Sequence, residues 1–124
     1  MFSTRTHRLH VSDKRDAERF LRHFKIKMKV FGILNVVRKK NTQALLDPVL
    51  LFIRRRKIIE QLNVEDYCKG PLEETIHGGS QMWVFGKKVR GAEVYIKIAL
   101  GAANKPVICI SFHIAERKLK YPFK

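Results

Sequence analysis

The hydrophobic pattern changes period part-way along the chain, and this change constrains the fold more than any other feature. Before Gly70-Pro71 the apolar residues recur at helical spacing; after it they alternate. Ser12 can cap a helix, with Ala17, Phe20, Leu21, Phe24, Met28 and Phe31 following on one face and Gly32 placed as a C-cap. Within this stretch Phe24, Ile26, Met28 and Val30 also alternate with Lys25, Lys27 and Lys29 as a strand would. The helical set is longer, so helix is favoured. A short helix is predicted from Asn41 through Leu46, stopped by Pro48. A third, over Arg54–Leu62, turns Ile58, Ile59 and Leu62 inward.

Three segments then read as strands: Met82 to Val89, Ala92 to Leu100 and Pro106 to Ile114, each alternating and rich in Val, Ile, Phe and Tyr. Arg90-Gly91 suits a two-residue turn between the first two, and Gly101 to Lys105 a looser second hairpin. Helices followed by consecutive strands predict an α+β fold, with N-terminal helices packed on one face of a small antiparallel sheet. With 124 residues, no repeat and no linker, the expectation is one domain over residues 1–124. Residues 1–11 form a basic, loosely ordered lead-in.

Strand parity sorts side chains onto two faces. Val94, Ile96 and Ile98 oppose Glu93, Tyr95 and Lys97; Ile108, Ile110, Phe112 and Ile114 oppose Val107, Cys109, Ser111 and His113. Val94, Ile96, Ile98 and the even-numbered set of the last strand are the expected core against the helices, joined by Trp83 and Phe85. Pairing about the Arg90-Gly91 turn puts Val84 opposite Lys97. Pairing about Asn104 puts Tyr95 opposite His113, roughly 5 Å apart at Cβ. One polar face thus carries a phenol, an ammonium, a hydroxyl and an imidazole.

Charge narrows the partner. The chain has 26 Lys and Arg against 11 Asp and Glu, a formal charge of +15, so a polyanion or an acidic surface is the expected partner: nucleic acid, an anionic membrane face or an acidic protein. No long basic amphipathic helix with an aromatic face supports the membrane, and no apolar run is long enough to span one. Cys68 and Cys109 form no disulfide framework and lack metal-ligand spacing, so neither metal nor cofactor is expected, and the predicted location is the cytoplasm.

RNA is the polyanion for which the polar face has chemistry. A 2′-hydroxyl can attack the adjoining phosphorus while a base takes its proton, cations steady the phosphate and an acid protonates the leaving 5′-oxygen. Imidazole is the side chain that titrates nearest neutrality, which suits His113 to general acid or base work. Lys97 and Lys69 can neutralise phosphate, and Tyr95 can hydrogen-bond to it or stack on a base. A histidine near a strand end and a Tyr–Lys face also occur as plain solvated sheet surface. Arg54, Arg55, Arg56 and Lys57, read at a helix start, can grip RNA phosphates or an acidic antitoxin-like partner, or form a plain solvated face; cations there oppose the helix dipole, so local stability does not explain them. Lys87 and Arg90 extend the RNA-binding set. His77-Gly78-Gly79-Ser80 is either a loop lending His77 to a site or simply a turn. Glu65-Asp66 and Glu73-Glu74 read as surface and Trp83 as core.

The order of several spaced motifs resembles the MqsR-like toxins of the RelE-like ribonuclease superfamily. These are Val64–Gly70 (VEDYCKG), Met82–Lys87 (MWVFGK), Gly91–Ile98 (GAEVYIKI) and Val107–His113 (VICISFH), spanning roughly residues 58 to 113. The closing Lys120-Tyr121-Pro122-Phe123-Lys124 is similar to the ending of one MqsR-like subgroup. The resemblance implies a metal-independent mRNA endoribonuclease, neutralised by a cognate antitoxin that is often of helix-turn-helix type. It places the family's active-site lysine on Lys69 and its strand tyrosine on Tyr95. Its last basic residue falls on His113, where the family's prototype carries lysine. The family glutamine falls on Val84, leaving Lys87 or Gln81 to substitute. Two other functions fit the same residues: a non-catalytic RNA-binding or ribosome-associated module, and a degenerate toxin that retains only antitoxin binding.

Overall fold

The computed structural model describes residues 13–36, 48–73 and 80–124. The expected lead-in over 1–11, the Ser12 cap, the Asn41–Leu46 helix and His77–Gly79 lie outside them.

The first helix, α1 (Lys14–Phe31), buries Ala17, Phe20, Leu21, Phe24 and Met28 and exposes a charged face that includes Arg15, Glu18, Arg19, Arg22 and Lys29. Asp13 occupies the N-cap position. Gly32, at φ +84°, ends the helix with its N–H donating to the Met28 carbonyl at 2.8 Å. Phe31 closes the helix partly exposed rather than in the core. The chain then forms a three-residue strand, β1 (Ile33–Asn35), which no alternation in so short a run announces. Helix α2 (Pro48–Glu60) starts earlier than the expected Arg54. Pro48 opens this helix: at a first helical position its missing N–H costs nothing and its φ is already helical. Ile59 and the following Leu62 are fully buried, as expected.

A 3₁₀ turn, Val64–Asp66, carries the chain into β2 (Tyr67–Leu72). Asn63 caps it reciprocally, accepting from the Glu65 N–H at 2.8 Å while its own N–H donates to Asp66 at 2.9 Å. Gly70-Pro71, taken from sequence as the boundary between halves, lies inside β2. Among the described residues this is an edge strand, paired with β3, and an edge tolerates proline. Strands β3 (Met82–Val89), β4 (Ala92–Ala99) and β5 (Val107–Ile114) follow. Arg90 and Gly91, at φ +51° and +82°, make the expected two-residue hairpin turn with both central residues left-handed.

The fold is α+β, but the sheet is mixed. Among the described residues five strands run in the order β1-β5-β4-β3-β2, with β1 parallel to β5 and every other pair antiparallel. The core lies between α1 and one sheet face. Trp83 stacks on Phe20 at 4.8 Å between centroids, and Phe85, Ile96 and Ile98 are fully buried beside them.

Two departures from regular pairing decide what the other face displays. In β5, Lys97 pairs with Ser111 but Ile98 with Cys109, so β5 advances two residues where β4 advances one. Val107 and Cys109 therefore join the helix-side core, whereas Ile108 and Ile110 pack with Ala99 in a separate cluster. This reverses the parity expected for the first half of β5. Beyond the bulge Phe112 returns to the core, and Ser111 and His113 join the face of Tyr95 and Lys97. In β2, Tyr67 pairs with Phe85 and Lys69 with Val84, a second irregularity. It leaves Tyr67 in the core and sends Lys69 to the opposite face.

Candidate active site

Two neighbouring rows across the sheet build a polar surface. Lys69, Val84, Lys97 and Ser111 are cross-strand partners in one row; Gly86, Tyr95 and His113 in the next. The registers Val84–Lys97 and Tyr95–His113 agree with the parity argument. The Tyr95 and His113 rings stack at 5.1 Å between centroids and 16° between planes. Lys97 Nζ sits 5.9 Å from the Tyr95 centroid, a cation–π distance that keeps the ammonium beside the phenol.

His113 Nδ1 lies 2.9 Å from the Ile114 carbonyl oxygen. A carbonyl only accepts, so this nitrogen carries the proton, and proton exchange with a ligand falls to Nε2. The sheet face and the C-terminal segment enclose a cleft of about 410 Å³ lined by Lys69, Tyr95, Lys97, Ser111, His113, Glu116, Arg117 and Leu119. Its size is that of a small-ligand site. The structure thus brings together Lys69, Tyr95, Lys97 and His113, residues 44 positions apart in sequence at the extremes. It also adds Glu116 and Arg117, which follow the last strand in a stretch with no periodicity to single them out.

The remaining expected RNA contacts divide. Arg54 and Arg90 are exposed, the latter at the β3–β4 turn. Arg55 is not a surface residue: it is 7% exposed, its guanidinium stands 5.3 Å from the Phe112 centroid, and burial pulls its pKa down. Arg56 pairs with Glu60 at 3.4 Å. All three lie inside α2 rather than at its start, so the dipole argument does not apply to them. Lys87 faces away from the cleft and pairs with Asp66 at 3.0 Å, which removes it as a substitute for the family glutamine. Gln81 is exposed just ahead of β3. Val84 is fully buried between its cross-strand partners Lys69 and Lys97 and is not among the residues that line the cleft.

Cys68, half-buried beside Lys69, has its thiol pushed up to about 12, first by burial and then by Glu93 and Asp66, with Lys69 opposing. It is a poor nucleophile there. Among the described residues no group of three or more His, Cys, Asp or Glu side chains is arranged to hold a metal ion, and no helix is long and apolar enough to cross a membrane. No family model, no curated protein and no solved structure matches the chain.

Proposed function

We propose that this chain is the toxin component of a toxin–antitoxin pair, an endoribonuclease that cuts mRNA in the cytoplasm through side-chain chemistry alone. The observation that carries the reading is the stacked Tyr95–His113 pair set among Lys69, Lys97 and Arg117 in one cleft. The motif resemblance to MqsR-like toxins supports it independently. In the reaction a 2′-oxygen bonds to phosphorus as the P–O5′ bond breaks, leaving a 2′,3′-cyclic phosphate and a 5′-hydroxyl.

Each proton has a carrier. With Nδ1 held on the Ile114 carbonyl, the imidazolium form of His113 delivers its second proton to the leaving 5′-oxygen from Nε2, and Glu116 supplies a carboxylate able to accept the one lost from the 2′-hydroxyl. The three cations balance the charge that gathers on the phosphate, and the Tyr95 hydroxyl donates to a non-bridging oxygen. The antitoxin, of helix-turn-helix type where the resemblance holds, neutralises the enzyme by binding.

The test is incubation of the purified protein with unstructured RNA in EDTA. Cyclic-phosphate ends should appear, with His113→Ala slowing cleavage by about 10²–10⁴-fold and Tyr95→Phe by a smaller factor. Wild-type rates in His113→Ala would sink the site assignment. Val84 favours a second reading, because a fully buried apolar residue at the position of the family glutamine offers no hydrogen bond to phosphate or base. A non-catalytic RNA or ribosome binder, or a toxin reduced to antitoxin binding, would hold its partner in the same assay without producing fragments.

A further inference from the structure

The C-terminal segment is tied down from three directions. Both oxygens of the Glu93 carboxylate hold it: Oε1 accepts the Leu119 backbone N–H at 3.0 Å and Oε2 accepts the Tyr121 hydroxyl at 2.7 Å. Gly86 lets it lie flat, since a Cβ at that position would come within 2.5 Å of the Tyr121 hydroxyl and 2.6 Å of Leu119 Cδ1. Phe123 then stacks on Tyr67 at 4.8 Å, anchoring the end of the chain to the core. Between the end of β5 and these anchors lie Glu116 and Arg117, both lining the cleft. Gly86 is the cross-strand partner of Tyr95, so the clamp sits one position from the stacked pair.

A short segment of chain outside regular structure does not hold an arginine against a cleft unless something fixes its backbone. Glu93 occupies the face of Tyr95 and Lys97 but turns both oxygens to the segment. We infer that Glu93 is a positioning residue for ligand binding: by clamping Leu119 and Tyr121 across Gly86 it holds Arg117 where a phosphate of single-stranded RNA enters the cleft. This rests on the RNA reading of the site and extends it to a residue that does not touch the ligand.

Electrostatics alone predicts the opposite effect on removing Glu93, which gives the inference a sign to be judged by. Deleting a carboxylate near a polyanion site should tighten binding. Loss of the clamp should weaken it. The probe is a short oligonucleotide fully 2′-O-methylated, which cannot be cut, so binding is measured apart from cleavage. Glu93→Ala should bind it about 10-fold more weakly, with a salt slope reduced by about 0.7, as expected for one lost phosphate contact on a single strand. Arg117→Ala should lose a similar factor, and the double variant should lose no more than either single one. Glu93→Gln keeps an acceptor for Leu119 and a polar partner for Tyr121, and should bind at least as tightly as the wild type.

Tighter binding by Glu93→Ala, or additive losses in the double variant, would overturn the clamp. Failure of the wild type to hold the oligonucleotide would overturn it as well. Tight, coupled binding together with intact all-ribose RNA would instead count against the ribonuclease reading and leave the clamp standing.

Discussion

At the scale of single residues, the two carboxylate and thiol environments beside the cleft make opposite pH statements. Hydrogen bonds from the Leu119 N–H and the Tyr121 hydroxyl hold the Glu93 carboxyl below the usual glutamate range, against a smaller effect of burial. A depressed carboxylate contributes stability that is complete above its unfolded-state value and is lost as pH falls through the folded one. The C-terminal segment should therefore remain docked as pH falls to about 4.5, the ordinary glutamate value, and detach only in stronger acid. The Leu119 amide shift, followed by NMR against pH, reports this directly; a midpoint at or above that value would contradict it. Cys68 runs the other way. With its thiol pushed up to about 12, iodoacetamide should alkylate it far more slowly at pH 8 than an unfolded control, and buried Cys109 should react only on unfolding.

At the scale of elements, the regular hairpin was the legible part and the irregular edges were not. Alternation over Met82–Val89 and Ala92–Ala99, with a turn that suits Arg90-Gly91, fixes Val84 opposite Lys97, because two-residue hairpins leave the register no freedom. The bulges carry no comparable signal. Val107, Ile108, Cys109 and Ile110 are all apolar, so either parity buries them acceptably, and only pairing with β1 and packing against α1 select the one observed. Lys69 was placed by resemblance, not by pattern, for the same reason: its face depends on the irregularity beside Cys68. Within α2 the arginine run reads as one charged block, yet the helix aims its members differently. Arg55→Ala should lower the melting temperature through lost packing on Phe112 while leaving RNA affinity unchanged, and Arg54→Ala should do the reverse. Paired thermal melts and binding titrations separate the two; equal affinity losses would mean that the helix presents both arginines to the ligand.

For the whole molecule the question is how much of a +15 charge is available to a ligand. Several cations are committed internally. Lys25 donates to the Leu62 carbonyl at 2.5 Å, and Lys27 donates to those of Leu100 and Ala102 at 2.5 and 2.7 Å. Lys87 pairs with Asp66 and Arg55 is buried. The cations that line the cleft are Lys69, Lys97 and Arg117, and this sets a quantitative expectation. Each phosphate neutralised on a single strand contributes about −0.7 to the slope of log affinity against log salt. An RNA just long enough to fill the cleft should thus show a slope of about −2 from three contacts. Longer RNA should steepen it only as it reaches outlying residues such as Arg54 and Arg90. Titrations at several salt concentrations with oligonucleotides of increasing length test this. A steep slope already present for the shortest RNA would mean that charge spread over the surface, rather than the cleft, holds the ligand. The cleft chemistry would then act on whatever the basic surface collects, and Lys69→Ala and Lys97→Ala would each change the cleavage rate at saturating RNA without changing affinity.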